Sequence, residues 1–222
     1  MFLTLRDKKL FLFDFDGTLV DTSAGILASL NHTRKCYGLS KRAFAQVKQY
    51  IGTGLQSMLN GTLREKPEIS GEEAARIYRA HHETNMYEGL AFYPGIREFL
   101  TALNDRKKLL GIVSNKNSYF IIKILEKLNS PVNFDIIVGA DTLPEHKPQP
   151  RPLLYACEEL GCVRQEAVMF GDSIYDIEAG LAAGICTVGC AWGFNGAEPF
   201  KQIPPDLVIQ NIQELLPLLT KS

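Results

Sequence analysis

The pattern of hydrophobic and polar positions changes along the chain. Near the N-terminus, Lys9 to Phe15 forms a short apolar run that leads into Asp-Gly-Thr, and this pattern predicts a buried strand that ends in a loop. From Thr22 to about Tyr93 the patterns are helical throughout, separated by Gly, Ser and Pro. The predicted helices in this region are Ser23 to Tyr37, Lys41 to Ile51, Leu55 to Leu63 and Gly71 to Tyr87.

After Pro94, helical and strand patterns alternate. The predicted elements are a helix at 95–107, a strand at Leu109–Ser114, a helix at 118–129, a strand at Phe134–Val138, a helix at 150–161, a strand at Ala167–Phe170, a helix at 174–183, strands at Ile185–Val188 and near Asp206–Ile209, and a helix at 211–219. Such alternation requires right-handed crossovers and a parallel sheet with helices on both faces. The sequence therefore predicts an α/β fold, in which residues 1–20 and 91–222 form a Rossmann-like sheet core and residues 21–90 form an all-helical insertion.

The composition of the chain is that of a folded globular protein. Its 222 residues are 45% hydrophobic and 22% charged, with a net charge of −1, which gives no general attraction to nucleic acid or anionic lipid. The apolar stretch from Leu10 to Val20 contains two aspartates, so it fits neither a signal sequence nor a membrane span. We therefore expect a cytoplasmic protein without a nucleic-acid or membrane partner, and we expect its five cysteines to be reduced thiols.

Candidate chemistry concentrates where predicted strands end. Asp14 and Asp16 lie at the end of the first strand, Ser114 and Asn115 at the end of the second, and Asp172 after the fourth. Ligands of open α/β sheets bind outside the carboxyl ends of the strands. If the first, second and fourth strands are neighbours, Asp14, Ser114 and Asp172 converge on one crevice.

These groups, together with Lys147 and Asp176, suggest phosphoryl transfer. A carboxylate that approaches a phosphate meets a repulsion of about 4 kcal/mol for unit charges at ~4 Å and an effective dielectric constant of ~20. A divalent cation held between them reverses the sign of this interaction. Mg²⁺ is the expected ion, because it prefers oxygen ligands and no pairing of His or Cys residues competes for it. Lys147 would add a positive charge beside the phosphate.

Four motifs in order resemble those of the haloacid dehalogenase superfamily. They are Asp14-Phe15-Asp16-Gly17-Thr18, Ser114-Asn115, Lys147-Pro148 and Gly171-Asp172-Ser173-Ile174-Tyr175-Asp176. The match spans nearly the whole chain, and each motif lies at the end of a predicted strand or in a loop near it. The resemblance implies that the helical insertion is a cap domain, which closes over the site and selects the leaving group.

The resemblance also implies catalytic roles for the two aspartates of the first motif. Asp14 would be the nucleophile and would form an aspartyl-phosphate that water then hydrolyses. Asp16 would protonate the leaving oxygen, later deprotonate the water, and lend its backbone carbonyl to the metal. Dehalogenases of this fold lack an acid at the second position, because a halide leaves without a proton, so Asp16 favours a phosphatase or a phosphomutase.

The remaining motif residues would bind the phosphoryl group and the metal. Substrate-binding roles would fall to Ser114, Asn115 through its backbone amide, and Lys147. The Mg²⁺ ligands would come from Asp14, Asp16 and Asp172. Behind them, the metal shell would be supported by Asp176 and Ser173.

Further positions resemble the phosphoglycolate phosphatases within the superfamily. They are Asp21-Thr22, Ile51-Gly52-Thr53-Gly54, Val113-Ser114-Asn115-Lys116 and Lys147-Pro148-Gln149-Pro150. Glycines allow a backbone to approach a small substrate closely and to offer its amides, so Gly52, Thr53 and Gly54 join the candidate substrate-binding residues. Arg151 departs from this subgroup, in which an acidic residue is usual after the proline.

The expected function is therefore Mg²⁺-dependent hydrolysis of a small phosphorylated metabolite, with phosphoglycolate favoured, by a monomer or homodimer. A pyrophosphatase or nucleotidase of the same family would share the mechanism, and a phosphomutase would return the phosphoryl group to a sugar. A catalytically silent binding protein would keep the fold alone. Taken singly, Asp16-Gly17 also fits a turn, and Gly52-Thr53-Gly54 fits a loop after a helix.

Overall fold

The computed structural model describes residues 5–217, and a parallel sheet forms its centre. The strands are β1 (Leu10–Phe13), β2 (Val20–Asp21), β3 (Ala91–Phe92), β4 (Leu109–Val113), β5 (Ile136–Val138), β6 (Ala167–Gly171), β7 (Cys186–Cys190) and β8 (Leu207–Ile209). The main sheet has the order β5-β4-β1-β6-β7-β8, and neighbouring strands run parallel. Strand β1 therefore lies in the interior of the sheet, between strands from distant parts of the chain.

Helices cover the sheet and make up the insertion. The α-helices are α1 (Ser23–Cys36), α2 (Phe44–Val47), α3 (Leu55–Thr62), α4 (Gly71–Asn85), α5 (Ile96–Asp105), α6 (Ser118–Lys127), α7 (Arg151–Glu159), α8 (Ile174–Ala183) and α9 (Pro199–Gln202), and the 3₁₀ helices are Lys48–Tyr50, Arg164–Glu166 and Ile212–Leu215. The predicted fold class, a Rossmann-like parallel sheet core with an inserted helical cap domain, is confirmed.

Strand β1 shows why both faces of the sheet need a helical cover. Its residues Leu-Phe-Leu-Phe are all buried, and successive side chains of a strand point to opposite faces. Phe11 and Phe13 stack with Phe170 of β6, with ring centroids 6.1 and 5.0 Å apart. Leu10 and Leu12 belong to a second hydrophobic cluster, which includes residues of α7 and α8. Each cluster removes apolar surface from water on its own face of the sheet.

The insertion has a hydrophobic core of its own. Ile26 and Leu30 of α1 pack in one cluster with Met58 and Leu59 of α3 and Tyr78 of α4. Strands β2 and β3 pair in antiparallel fashion where the chain leaves the sheet core and where it returns. This two-stranded ribbon ties together the two connections between the insertion and the core.

The structure differs from the sequence prediction at two places between Thr22 and Tyr93. The predicted helix from Lys41 to Ile51 begins as α2 at Phe44. Asn31 explains the difference, because its side chain accepts a hydrogen bond from Arg42 N (2.8 Å) and donates one to Arg42 O (3.0 Å), which satisfies this backbone without a helix. The prediction of helices alone is wrong at β3, since a strand of two residues leaves no periodic pattern.

The predicted helix at 211–219 begins as the 3₁₀ helix Ile212–Leu215, and residues 218–219 lie outside the described part of the chain. Among the described residues, no helix has the length and apolar content that crossing a bilayer requires. The cysteines are free thiols. Cys186 and Cys190 lie at opposite ends of β7, so the extended strand keeps their sulfur atoms apart.

Candidate active site

The carboxyl ends of three adjacent strands meet at one point. Phe13, the last residue of β1, is in register with Ile112 of β4 and Phe170 of β6. The next residue, Asp14, donates its backbone N–H to Phe170 O at 2.8 Å, so this hydrogen bond fixes it at the end of the sheet. The expectation that the first, second and fourth predicted strands are neighbours is confirmed.

Asp14 and Lys147 form a buried ion pair in this crevice. Lys147 Nζ lies 2.9 Å from Asp14 Oδ1 and 2.5 Å from Asp176 Oδ1, and it donates to Val113 O at 2.6 Å. The side chains of Asp14 and Lys147 are 7% and 2% exposed. Burial opposes the charged form of the lysine, but the charges of Asp14 and Asp176 outweigh it and raise the pKa of Lys147. Lys147 is therefore a permanent positive charge beside Asp14.

Asp172 is a second buried carboxylate at this sheet edge. Its Oδ2 accepts a hydrogen bond from Phe194 N at 3.0 Å, and its Oδ1 accepts a longer one from Thr18 Oγ1 at 3.3 Å. Burial, followed by the charges of Asp14 and Asp176, raises the pKa of Asp172 well above its usual value. The acids thus repel one another in the absence of a cation.

Two glycines make room for Asp172. Gly17 has a φ of +87°, and a Cβ at this position would lie 2.5 Å from Asp172 Oδ2. A Cβ at Gly193 would lie 2.1 Å from Asp172 Cβ. Backbone therefore approaches this carboxylate from two sides, which a larger residue would prevent.

Asp176 serves the same cluster from the start of α8. Its Oδ2 accepts hydrogen bonds from Ser173 N (3.0 Å) and Ser173 Oγ (2.6 Å), and its Oδ1 accepts one from Lys147. Both oxygens are thus occupied by protein donors. Burial is the main reason that the pKa of Asp176 is raised, although the Lys147 charge acts in the opposite direction.

The three acids can hold a metal ion. Asp14, Asp172 and Asp176 each offer a carboxylate oxygen, and these oxygens lie within 4.8 Å of one another. A set of oxygen ligands with a high negative charge suits a hard divalent cation. Such an ion would also relieve the repulsion that raises the pKa of Asp172. Asp176 accepts three hydrogen bonds, one from Lys147 and two from Ser173, so the carboxylates of Asp14 and Asp172 are better able to contact an ion.

Asp16 has different surroundings from the three-acid cluster. Its Oδ1 accepts a hydrogen bond from Thr22 Oγ1 at 2.7 Å. Lys116 Nζ lies 3.1 Å from Asp16 Oδ1 and 3.2 Å from Oδ2. The carboxylate is 13% exposed and lines the same cavity as Asp14. The two aspartates of the first motif therefore face one ligand space with different partners.

A cavity of about 220 Å³ lies between the strand ends and the insertion. The predicted site residues that line it are Asp14, Asp16, Ser114, Asn115, Gly52 and Gly54. Apolar side chains of the insertion also line it, among them Ile26, Ile51, Leu55 and Met58. Lys147, Asp172, Asp176 and Ser173 lie outside this lining. Thr53 is also outside it, and donates its hydroxyl to Tyr50 O at 2.7 Å.

Asn115 connects the two walls of the cavity. Its Nδ2 donates to Gly52 O at 2.9 Å and to Lys147 O at 2.8 Å, and its Oδ1 accepts from Lys147 N at 3.0 Å. Its side chain is therefore committed to protein partners. The backbone amide is the part of Asn115 that the sequence resemblance assigns to the substrate.

The cavity lining also contains charged or titratable residues that the sequence motifs do not assign to the site, among them Lys116, His82 and Arg79. Lys116 belongs to the motif Val113-Ser114-Asn115-Lys116, but its ion pair with Asp16 forms only in the folded protein and cannot be inferred from the sequence. His82 and Arg79 lie on α4 and line the cavity as well. His82 lies one helical turn after the buried Tyr78, on the same face of α4. This spacing is the feature of the sequence that indicates an inward-facing histidine.

Comparisons with known proteins agree with this geometry. The family model of the haloacid dehalogenase-like hydrolases matches residues 11–190. The chain is 37% identical over 211 residues to a phosphoglycolate phosphatase of Aquifex aeolicus, covering 95% of this chain and 96% of that protein. It is 34% identical over 223 residues to a phosphoglycolate phosphatase of Colwellia psychrerythraea, covering 96% and 98%.

Solved structures show the same architecture. The crystal structure of a predicted phosphoglycolate phosphatase from Haemophilus somnus superposes with a TM-score of 0.89 and 28% identity, covering 96% of this chain and 98% of that chain. A haloacid dehalogenase-like hydrolase from Bacteroides fragilis superposes with a TM-score of 0.86 and 28% identity, covering 94% and 99%. The similarity therefore includes both the sheet core and the helical insertion.

Proposed function

The chain belongs to the haloacid dehalogenase-like hydrolase family, and we propose that it is a phosphatase that hydrolyses a small phosphomonoester with Mg²⁺ through a phosphoryl group carried on Asp14. The observation that carries this proposal is the position of Asp14, which lines the cavity and lies 2.9 Å from the buried Lys147. Because two of its relatives are named phosphoglycolate phosphatases, the favoured candidate substrate is 2-phosphoglycolate.

In the first step, a carboxylate oxygen of Asp14 attacks phosphorus. The bond between phosphorus and the ester oxygen breaks, and that oxygen leaves with its electron pair. Asp16 donates a proton to it, which is consistent with the place of Asp16 on the same cavity wall. Lys147 remains protonated and offsets the negative charge of Asp14 as the phosphate approaches.

In the second step, water attacks the phosphorus atom of the aspartyl-phosphate. Asp16 accepts a proton from this water, because it lost its own proton in the first step. The bond between Asp14 and phosphorus breaks, which releases inorganic phosphate and restores the free carboxylate. One acid thus serves both steps.

The Mg²⁺ ligands in this proposal are Asp14, Asp172 and the backbone carbonyl of Asp16. When bound, the ion neutralises part of the repulsion between carboxylate and phosphate. Asp176 supports the site, because it holds Lys147 beside Asp14. Ser173 in turn orients Asp176 through two hydrogen bonds.

The cavity residues bind and enclose the substrate. The Ser114 hydroxyl and the Asn115 amide hold phosphoryl oxygens, while amides of Gly52 and Gly54 approach the rest of the molecule. Thr53 supports this loop through Tyr50. Residues 1–20 and 91–222 act as the catalytic core and residues 21–90 as the cap, in a cytoplasmic enzyme.

The test is phosphate release from a panel of phosphometabolites with Mg²⁺, measured for the wild type and for Asp14→Asn. We expect a preference for 2-phosphoglycolate, and a loss of turnover in the variant, since an amide nitrogen does not attack phosphorus. Asp105→Asn, at the exposed end of α5, is the matched control and should stay active. Wild-type activity in Asp14→Asn would rule out the covalent route. Preference for nucleotides or pyrophosphate would change the substrate but keep the mechanism.

A further inference from the structure

The cavity carries a second lysine beside Asp16. Lys116 follows the motif at the end of β4, lines the cavity, and has a side chain that is 7% exposed. Its Nζ lies 3.1 and 3.2 Å from the two carboxylate oxygens of Asp16. A positive charge therefore lies where the leaving group would depart, whereas Lys147 lies outside the cavity lining.

A histidine of the insertion also contacts Lys116. His82 is 1% exposed, and its Nε2 lies 3.5 Å from Lys116 Nζ. Ser29 Oγ donates to Gly25 O at 2.9 Å and lies 3.1 Å from His82 Nδ1, so Nδ1 carries the proton and Nε2 accepts from the lysine. Burial, followed by the charge of Lys116, lowers the pKa of His82 to about 2 and keeps the ring neutral.

The ammonium group of Lys116 has one donor left for a ligand. A protonated lysine carries three N–H bonds, of which one serves Asp16 and one serves His82. Across residues 5–217, no further acceptor lies within hydrogen-bond distance of this nitrogen. The third N–H is therefore available to an oxygen atom inside the cavity.

Asp16 fixes the distance between the substrate and this lysine. A general acid must lie about 2.6–3.2 Å from the oxygen that it protonates, and Lys116 contacts the same carboxylate. A group one or two atoms beyond the ester oxygen then comes within reach of Lys116. We propose that Lys116 determines specificity by binding a substrate carboxylate separated by one carbon from the ester oxygen, and that His82 positions Lys116. This inference rests on the proposed phosphatase function.

The apolar side chains that the insertion contributes to the wall favour the same class of substrate. Ile51, Leu55 and Met58 offer no hydrogen bonds to the hydroxyl groups of a sugar. A carboxylate that leaves water for this wall needs a cation. Arg79 also lines the cavity, but it is exposed, so solvent screens its charge more than that of Lys116.

The test compares two phosphomonoesters that differ at the group in question. 2-Phosphoglycolate carries the carboxylate, and 2-hydroxyethyl phosphate carries a neutral hydroxymethyl group in its place. We expect Lys116→Met to lower the ratio of their kcat/KM values by at least about 10-fold, because a charged hydrogen bond is lost. Lys116→Arg should restore part of the ratio. An effect of the substitution on Asp16 changes kcat/KM for both substrates alike, so it cancels in the ratio.

The role of His82 has its own variants. His82→Phe should lower the ratio mainly through a higher KM for 2-phosphoglycolate, and His82→Gln, whose amide oxygen can accept from the lysine, should recover part of it. Lys48→Met is the matched control. Lys48 also links insertion and core, since its Nζ donates to Phe194 O at 3.3 Å, but it does not line the cavity. Its replacement should leave the ratio at the wild-type value.

Two results would overturn the assignment of Lys116 and leave the proposed function intact. The first is an equal loss on both esters in Lys116→Met while Asp14→Asn is inactive. The second is a collapse of the ratio in Arg79→Met but not in Lys116→Met. Turnover that persists in Asp14→Asn would instead contradict the proposed function, and this inference with it.

Discussion

The side-chain amide of Asn115 donates a hydrogen bond to the backbone carbonyl of Gly52 at 2.9 Å. The same side chain exchanges two hydrogen bonds with the backbone of Lys147, at 2.8 and 3.0 Å. One residue at the end of β4 thus joins the loop of the insertion to the segment that carries the buried lysine. Asn115 and Gly52 both line the cavity, so this junction connects its two walls.

We expect Asn115→Ala to lower the free energy of unfolding by about 2–3 kcal/mol, because three hydrogen bonds of about 1 kcal/mol each are lost. The KM should rise as well, since the loop at Gly52 loses its contact with the core. Urea denaturation and steady-state kinetics measure the two effects. Asn31→Ala is the control, because it breaks two hydrogen bonds to Arg42 inside the insertion and should leave KM unchanged. A wild-type KM in Asn115→Ala would contradict the role of the junction.

Replacing Lys147 tests whether stability and activity depend on the same charge. Lys147→Met leaves Asp14 and Asp176 buried without their cation, and we expect a loss of about 3–5 kcal/mol in the free energy of unfolding. The double variant Lys147→Met/Asp176→Asn removes one of the two uncompensated charges and should recover part of the stability. It should remain inactive, because the positive charge beside Asp14 is still missing. Recovery of phosphate release in the double variant would show that Lys147 is structural alone.

The sequence predicts the sheet core and the positions of Asp14 and Asp172 for a physical reason. A strand buried on both faces is an uninterrupted apolar run, so the polar residue that ends it marks the edge of the sheet. Asp14 and Asp172 are recognisable in this way. The short α2 is not, because the side chain of Asn31 replaces helical hydrogen bonds at Arg42, and no local pattern records a contact across 11 positions.

The contacts between insertion and core lie beyond sequence reasoning. His82 and Lys116 are 34 positions apart and belong to different parts of the fold. Their contact depends on how the insertion sits on the sheet, which side-chain packing decides. The position of Thr53 also depends on packing. Its hydroxyl donates to Tyr50 O, and it does not line the cavity, whereas its neighbours Gly52 and Gly54 do.

Asp172→Asn separates metal binding from the stability of the metal-free protein. Burial and the charges of Asp14 and Asp176 raise the pKa of Asp172, so its charge costs stability when no cation is present. We expect the variant to be more stable without metal by about 1 kcal/mol, which corresponds to about 3 °C in Tm. It should also lack the rise in Tm that we expect Mg²⁺ to give the wild type. An unchanged Mg²⁺ shift in the variant would exclude Asp172 as a ligand.

His82 makes the stability of the protein depend on pH. Its pKa is lowered to about 2, first by burial and then by the charge of Lys116, whereas an unfolded chain protonates histidine near pH 6.5. The other titratable groups against this ring are Tyr78, stacked at 5.1 Å, and His81. Between these two pKa values the unfolded state binds more protons, so stability falls as the pH falls. The expected loss from pH 7 to pH 5 is about 2 kcal/mol.

Urea denaturation at pH 7 and pH 5 isolates this contribution when wild type and His82→Phe are compared. The variant has no imidazole to protonate at this position, so its stability should fall less over the same interval, by the same ~2 kcal/mol. His146→Gln is the matched control, because it replaces an exposed histidine. An equal pH dependence in wild type and His82→Phe would mean that the buried ring accepts a proton in the folded protein. It could then no longer act as the hydrogen-bond acceptor of Lys116.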